Sequence, residues 1–433
     1  MIGWQLLAFA CSKPPPEPVD ASSMEAALSD EFLGPVTVTW DQPEAADVQI
    51  QYQVNGRWLS SPVRSVRAGE QSMTIVGIPL GETASWRVFI DHPREPVLVE
   101  APEPIVSAPL PKSFPPLKID IEDDLRRDDY ILTSVNERNC GWCSGPYWTF
   151  ITNREGQVVW ATRTGTGEWT LFSQVSVRGD HIIYDVLSEP SFAVRTYLDE
   201  SIEEIGMAGH HHGFIELPDG TLAWGEHQSG AFTEQIVERA PGSDETRTVW
   251  SCSDWPQVQG CRSNALEYDA ERDVYWFSFY TLNAVAEVDR STGDLVGFSD
   301  LRRPGPQIAN EYVFSPENSI FTWQHGPRVL PNGNMLISTD DTSRTTTKIS
   351  EYELDRDSGV FTEVWSYDPG VLARFNGDVL RLENGNSMHG LGAAGIAYEV
   401  NDEGQEVWRM SFPDGHQVGR LAVIEDLYTL VAP

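Results

Sequence analysis

The 433-residue sequence predicts an all-β protein, in which a small β-sandwich domain precedes a six-bladed β-propeller. Two recurring elements after residue 128 support the propeller. The first is a hairpin of two short strands around a turn such as Pro-Asn-Gly, because Asn-Gly accepts the positive φ angles of tight hairpins. The second is a strand that ends in Val-Trp after a polar turn, as at residues 155–160 and 405–408.

The spacing of the hairpins predicts the number of blades. Copies start near residues 175, 212, 264, 325 and 377, and their commonest interval is roughly 50 residues, the length of a four-stranded blade with generous loops. A last strand, at residues 420–424, has no hairpin partner of its own. Five copies and this strand predict six blades. The last strand is expected to close the ring by completing the sheet that begins near residues 130–132.

The N-terminal residues predict where in the cell the protein is located. Residues 1–11 are apolar and end in Cys11, and a polar, proline-rich stretch follows. This arrangement resembles a bacterial lipoprotein signal with Cys11 as the lipidated residue. The alternative is a disordered N-terminus or a misplaced start. The lipoprotein interpretation predicts a periplasmic or surface protein of the cell envelope, which contacts the membrane only through its lipid.

Composition and pattern divide the rest of the chain. Residues 12–34 are expected to form a linker, and residues 35–112 contain the short alternating strands of a fibronectin- or immunoglobulin-like sandwich. Residues 113–128 are a proline-rich connector, and residues 129–433 form the propeller.

The net charge of −35 limits the possible partners. Nucleic acid is excluded, because phosphate binding depends on clustered lysines and arginines. An anionic substrate must be held by local positive groups against the overall field of the protein.

Four cysteines form two close pairs, Cys140 with Cys143 and Cys252 with Cys261. In an exported protein such pairs are most often disulfides. The Cys140–Cys143 spacing also occurs in thioredoxin-type redox sites, but no helical pattern follows it here. A zinc site would need the two pairs to meet across more than 100 residues. We therefore predict two disulfides.

Two histidines occupy equivalent positions in their repeats. His212 and His325 both lie six residues before the proline of the hairpin turn. The first strand of each blade lines the central channel, so both side chains are expected to point into one funnel. His389 follows the fifth hairpin and Arg344 the fourth, which adds a third imidazole and a guanidinium to the predicted site.

Each candidate also has a structural interpretation. A histidine at a blade entrance often only bonds a neighbouring carbonyl, and Arg344 has acidic neighbours in Asp340 and Asp341. As a set, the histidines together with carboxylates would suit a metal. The arginine argues against a metal, because a guanidinium repels cations and fits an oxyanion. Histidines and an arginine around one point suit sulfuryl or phosphoryl transfer, in which charge spreads over the non-bridging oxygens.

The chain resembles the bacterial aryl-sulfate sulfotransferases, which combine an N-terminal β-sandwich with a six-bladed propeller. The resemblance covers roughly residues 35–433 and rests on Tyr130-Ile131-Leu132, residues 155–160, the hairpin at 325–334, Arg344, Asn384-Gly385-Asn386 with His389, and Arg420-Leu421-Ala422. Matched by motif, His212 and His325 correspond to the first two histidines of the family site, with His211 as the alternative to His212. Arg344 corresponds to the arginine and His389 to the nucleophile.

This resemblance implies a ping-pong reaction without a nucleotide, metal or other cofactor. A neutral nitrogen of His389 attacks the sulfur of a phenolic sulfate ester, a sulfohistidine forms, and a second phenol accepts the group. The partners are a small-molecule phenolic sulfate donor and a phenol acceptor, with Arg344 as the main anion anchor. Two alternatives remain: a non-catalytic envelope propeller that binds a ligand or protein, and a metal-dependent propeller hydrolase or lactonase.

Overall fold

A computed structural model describes residues 16–91, 96–123, 129–139, 145–227, 234–255, 260–299 and 311–433. The chain divides into two compact units, Met1–Pro109 and Leu110–Pro433. The described residues include no helix that is long and apolar enough to cross a membrane. The expected lipidation site at Cys11 and the Cys140–Cys143 pair lie outside the described residues.

The first unit is built from short antiparallel strands and one 3-10 turn, Ala21–Ser23. Its strands are β1 (Glu25–Leu28), β2 (Val36–Gln42), β3 (Ala46–Val54), β4 (Arg57–Ser60), β5 (Arg64–Val66), β6 (Gly69–Ile75), β7 (Thr83–Ala84), β8 (Trp86–Ile90), β9 (Val97–Glu100) and β10 (Ile105–Val106). They form one sheet in the order β1-β2-β6, one in the order β4-β3-β8-β9 with β5 beside β3, and the pair β10-β7.

Alternation of residues explains these sheets. Along β2 the side chains of Val36, Val38 and Trp40 are buried and those between them are more exposed, as expected for a strand with one covered face. The packing of the sheets into a sandwich stays a prediction. One expectation is corrected: β1 lies in the predicted linker, residues 12–34, and pairs along its whole length with β2.

The second unit contains six sheets arranged as blades. The first blade contains β12 (Tyr130–Asn136), β13 (Tyr147–Asn153) and β14 (Val158–Arg163). The second contains β15 (Ser173–Val175), β16 (Ile182–Val186), β17 (Phe192–Thr196) and β18 (Ser201–Gly206). The third contains β19 (His210–Glu216), β20 (Leu222–His227), β21 (Glu234–Arg239) and β22 (Thr246–Ser251). One strand, β11 (Lys118–Glu122), precedes them.

The other three blades follow the same plan. They are β23 (Ser263–Asp269), β24 (Val274–Phe279), β25 (Ala284–Asp289) and β26 (Leu295–Phe298); β27 (Val313–Ser315), β28 (His325–Val329), β29 (Met335–Asp340), β30 (Thr347–Asp355) and β31 (Val360–Tyr367); and β32 (Gly377–Arg381), β33 (Ser387–Leu391), β34 (Ile396–Val400) and β35 (Glu406–Ser411), before the last strand β36 (Ala422–Ile424). Three 3-10 turns, Cys252–Asp254, Gly392–Ala394 and Leu427–Leu430, complete the unit.

The ring closes as predicted. Strand β36 pairs with β12, with Tyr130 opposite Ile424 and Leu132 opposite Ala422, so the two ends of the propeller share one blade. The innermost strands β19, β23, β28 and β32 lie side by side around the channel. Six blades are therefore confirmed, and the starts of their inner strands meet at one end of the channel.

The second recurring element links neighbouring blades. Its tryptophans lie on the outer strands β14, β22, β31 and β35. The indole of Trp160 donates a hydrogen bond to the carbonyl of Leu198, and that of Trp408 donates to the carbonyl of Arg154. Both rings are fully buried. The repeat is thus visible in the sequence because a large aromatic ring fills this joint in four of the six blades.

Two blades contain a fifth strand that the repeats do not predict. Strand β11 pairs antiparallel with β35, and β27 pairs parallel with β31. Because β11 lies at residues 118–122, the expected connector at residues 113–128 contains part of the propeller. The predicted disulfide between Cys252 and Cys261 is present and closes a short loop after β22.

Candidate functional site

A cavity of about 230 Å³ lies where the inner strands begin. Its polar lining includes His212 at β19, His325 at β28 and Arg420 just before β36. Phe172, Tyr280, Trp323 and Phe375 supply aromatic walls, and Asn264 and Arg374 add polar groups. The cavity therefore combines two guanidinium groups, two imidazoles and aromatic rings, a combination that fits a small aromatic anion.

The backbone around His212 is irregular in a way that aims two side chains at one place. The pairing of β19 with β20 shifts register on both sides of His212. At Gly213, φ is +65°, and an added Cβ would lie 2.7 Å from the amide nitrogen of Leu266, so only glycine fits. Successive residues of a regular strand point to opposite faces. Here the rings of His211 and His212 lie 4.2 Å apart.

Burial keeps His212 neutral. It lowers the pKa of His212 well below its ordinary value, and the nearby charges of His211, His210, His325 and Arg420 act in the same direction. A neutral imidazole has one protonated nitrogen and one nitrogen with a lone pair.

His325 has a defined tautomer. Its Nδ1 lies 2.9 Å from the carbonyl oxygen of Trp323, which can only accept, so Nδ1 carries the proton. Nε2 then has the lone pair. Burial lowers the pKa of His325 to about 4, although the bond to Trp323 opposes this shift and the charge of Arg420 adds to it. At neutral pH the ring is therefore an uncharged nucleophile or base on the cavity wall.

Arg420 is one of two arginines on the cavity wall, with Arg374, and neither has a role in the predicted site. It is 7% exposed, and its guanidinium lies 4.6 Å from the centre of the Phe172 ring. Its backbone amide donates to the carbonyl of Leu171 at 2.8 Å. Burial lowers the pKa of Arg420 to about 10, so the side chain stays charged at neutral pH. The signal in the sequence is the position of Arg420 two residues before the closing strand β36. Arg420 lines the cavity there, as His212 and His325 do at the starts of their inner strands.

A buried charge network lies beneath Arg420. Arg328 contacts Glu267 at 3.2 Å and Asp378 at 3.5 Å, and Nε of Arg420 lies 3.8 Å from Oδ1 of Asp378. Two cations thus face two carboxylates. The distance from Arg420 exceeds hydrogen-bonding range, so its guanidinium retains donors for a ligand.

Arg344 lies behind the cavity wall. Its guanidinium carbon is 4.1 Å from the centre of the Trp323 ring, and its Nε is 3.6 Å from a carboxylate oxygen of Asp340. The side chain is 44% exposed and does not line the cavity. The structure therefore matches the alternative in which Arg344 pairs with Asp340, and Arg344 supports the tryptophan that the ligand would touch.

His389 does not reach the cavity either. It is completely buried in β33, with Nε2 2.8 Å from the hydroxyl of Ser338 and Nδ1 2.7 Å from the hydroxyl of Tyr398. Both ring nitrogens are engaged, and burial lowers the pKa of His389 to about 3. Gly377 lines the cavity and lies so close to the Ser338 side chain that an added Cβ would collide with it. Of the four predicted residues, the structure brings together His212 and His325.

Comparison with known proteins identifies no family for this chain. No protein-family model and no curated protein matches the chain. Similar solved structures include the β-propeller domain of Cps50 (Swd1) from Myceliophteria thermophila, with 13% identity, a TM-score of 0.43, and 70% of this chain and 92% of that chain covered.

Two further matches have enzyme names. One is described as a putative 6-phosphogluconolactonase from Bacteroides fragilis, with 11% identity, a TM-score of 0.40, and 88% of this chain and 98% of that chain covered. The other is streptogramin B lyase, with 12% identity, a TM-score of 0.39, and 71% and 91% covered. At these values the likeness carries no argument about chemistry. The resemblance to the aryl-sulfate sulfotransferases has no support among these matches and enters only as a proposal.

Proposed function

We propose that the protein transfers a sulfuryl group from a small aromatic sulfate ester to a phenol, and that His325 carries the group between them. The observation that supports this most is the tautomer of His325, whose unprotonated Nε2 belongs to a ring on the wall of an aromatic cavity that also contains Arg420. We assign the nucleophile to His325 instead of His389, because both nitrogens of His389 are already hydrogen-bonded away from the cavity.

Binding of the donor follows from the lining. The aryl ring packs against Phe172 and Trp323, and the sulfate oxygens accept charge-assisted hydrogen bonds from Arg420. A protein with a net charge of −35 repels this anion at long range. Short-range donors on the cavity wall therefore have to supply the affinity.

The first half-reaction forms a sulfohistidine. Nε2 of His325 attacks the sulfur, the bond from sulfur to the ester oxygen breaks, and the electron pair of that bond leaves with the phenolate. The ring becomes positively charged while the substituent is attached, and the Trp323 carbonyl stabilises it because its hydrogen bond from Nδ1–H strengthens when the donor is charged. In the second half, the oxygen of another phenol attacks the sulfur and the electron pair of the nitrogen–sulfur bond returns to Nε2.

A hydrolase that acts on an ester or lactone is the second candidate, and one observation favours it. The chain from Ser338 to His389 to Tyr398, with distances of 2.8 and 2.7 Å, has the order of a nucleophile, a base and a group that orients the base. Ser338 is 1% exposed, so a substrate would need access past Gly377. In the described part of the chain no three potential metal ligands are grouped to hold an ion, which gives the metal-dependent form of this alternative no ligand set there.

Turnover of 4-nitrophenyl sulfate by the purified chain, with and without phenol, tests the proposal. We expect steady release of 4-nitrophenol only when phenol is present, and after donor alone a sulfuryl adduct on the peptide that contains His325. His325→Asn should abolish both, and His389→Asn should retain the adduct.

The contrary outcomes are distinct. Steady release without phenol, or turnover of carboxylic esters or lactones that is lost in Ser338→Ala, would establish the hydrolase. Binding of aryl sulfates without any turnover would establish a ligand-binding propeller.

A further inference from the structure

A second cavity, about 920 Å³ in volume, opens beside the first. The two share Leu171 and His212, so a group bound in either cavity contacts His212. The second cavity, which we call the cleft, is also lined by His211, His227 and Trp169. Among the described residues that line it there is no lysine or arginine.

A carboxyl group lies behind two of the histidines that line the cleft, His211 and His227. Glu234, the first residue of β21, is completely buried. One of its carboxylate oxygens lies 3.7 Å from Nε2 of His211 and 3.9 Å from Nδ1 of His227. Nδ1 of His211 is buried and has no hydrogen-bond partner within the described structure. The rings of His211 and His227 lie 5.7 Å apart. A carboxyl group thus contacts two imidazoles, and one of them has a nitrogen left for a ligand.

Burial favours the uncharged forms of both Glu234 and His211. Burial raises the pKa of Glu234 to about 8, although contacts with Ser263 and the charge of Arg262 oppose the shift. Burial also lowers the pKa of His211 to about 3, and the charges of His210, His227 and Arg262 act in the same direction. Glu234 therefore holds the proton beside a neutral His211.

We propose that the cleft is the phenol subsite of the transfer reaction and that Glu234 and His211 together carry the proton that the two phenols exchange. This inference rests on the proposed function. A neutral phenol suits a cleft whose described lining has no lysine or arginine and includes the acidic Glu189, which would repel a second sulfate. The first cavity, with Arg420, binds the anion instead.

The proton count balances over the two half-reactions. When the phenolate leaves the sulfur, Nδ1 of His211 gives it a proton and Nε2 of His211 takes the proton of Glu234, which becomes a carboxylate. The 3.7 Å separation of these two groups has to shorten to hydrogen-bonding distance for this transfer. When the acceptor phenol attacks, its proton passes to Nδ1 of His211 and the Nε2 proton returns to Glu234. No other acid, base or co-reactant is consumed.

The leaving group decides whether this proton matters, and the experiment uses that fact. Excess 4-nitrophenyl sulfate or phenyl sulfate is mixed with wild type, Glu234→Gln or His211→Asn. The rate at which 4-nitrophenol or phenol is first released is then measured. 4-Nitrophenolate leaves without a proton, whereas phenolate needs one. We expect both variants to slow the reaction of phenyl sulfate by roughly 100-fold or more and that of 4-nitrophenyl sulfate by only about 3-fold or less.

A second readout separates proton transfer from a structural effect. The wild-type rate with phenyl sulfate should fall as the pH rises through about 8, where Glu234 loses its proton, and this dependence should vanish in Glu234→Gln. Glu238→Gln, which alters a buried carboxylate paired with Arg290 outside the cleft, is the control and should slow both donors equally if at all.

Equal losses on both donors in Glu234→Gln, or no loss on either, would overturn the subsite and its proton pair while leaving sulfuryl transfer intact. Inactivity of the wild type with both donors would overturn the proposed function and this inference together.

Discussion

Replacing Arg420 by methionine should weaken anion binding far more than replacing Arg344 in the same way. Both are arginines stacked on aromatic rings, at 4.6 Å from Phe172 and 4.1 Å from Trp323. They differ in burial and position, because Arg420 lines the cavity while Arg344 lies behind its wall. The pair is therefore a matched test of which cation anchors the ligand.

The magnitude follows from burial. A hydrogen bond to a charged group is worth about 1.5–3 kcal/mol, and Arg420, at 7% exposure, makes its bonds where solvent screens them little. Its loss should raise Kd by roughly 10- to 150-fold. Arg344 is 44% exposed, so solvent screens it, and a stacked exposed cation contributes about 0.5–1 kcal/mol. Its loss should change Kd by about 5-fold or less.

Benzenesulfonate is the suitable probe, because its sulfonate group is attached to the ring by a carbon–sulfur bond and cannot be transferred. Its binding to both variants is measured by titration calorimetry at two salt concentrations, and thermal unfolding is recorded in parallel. Arg420→Met leaves Arg328 to balance both Glu267 and Asp378, so some loss of stability is expected. Arg420→Lys preserves that balance and isolates the guanidinium geometry. Wild-type affinity in Arg420→Met together with a large loss in Arg344→Met would refute the assignment of the site to this cavity.

Two further predictions concern the fold. Loss of the disulfide in Cys252→Ser should lower the free energy of unfolding by about 2–3 kcal/mol, because the bridge spans a sequence separation of only 9; urea unfolding of the variant and of reduced wild type should agree, and unchanged stability in both would contradict this. Acidification from pH 6.5 towards 4 should destabilise the wild type, because the unfolded chain gains a proton that folded His389, with its pKa lowered to about 3, does not bind. The His389→Asn variant should be less stable than wild type, and its free energy of unfolding should depend less steeply on pH. Equal slopes in the two proteins would show that His389 does not contribute.

The blades were predictable because every blade repeats one pattern. A hairpin between two strands needs a turn with positive φ angles, and Gly220, Gly333 and Gly385 supply them in three copies. The closing strand was predictable from its lack of a local partner. Strand β11 was not, because its partner β35 lies almost at the other end of the chain and no hairpin signal links the two segments.

The candidate site was predictable only for residues at repeat-equivalent positions. His212 and His325 begin inner strands and therefore line the channel. His389 lies on a second strand, opposite Val379 and Tyr398, where its side chain packs beside Ser338 and away from the cavity. Distance from a hairpin turn along the sequence cannot distinguish these environments. Arg420 was overlooked as an anchor because the strand it precedes has no neighbouring hairpin that marks it as a blade.

Asp378 explains how separate inner strands set one geometry. Its carboxylate accepts a hydrogen bond of 2.9 Å from the backbone amide of Leu421 and lies 3.5 Å from the guanidinium of Arg328. It also lies so close to Gly326 that a Cβ there would be 2.8 Å from Oδ1. One carboxylate on β32 thus fixes the segment that contains Arg420 and the strand that begins with His325. Two acids balance two arginines in this network, so the network adds no net charge. The loosely held Arg420 guanidinium can therefore still attract an anion in a strongly acidic protein.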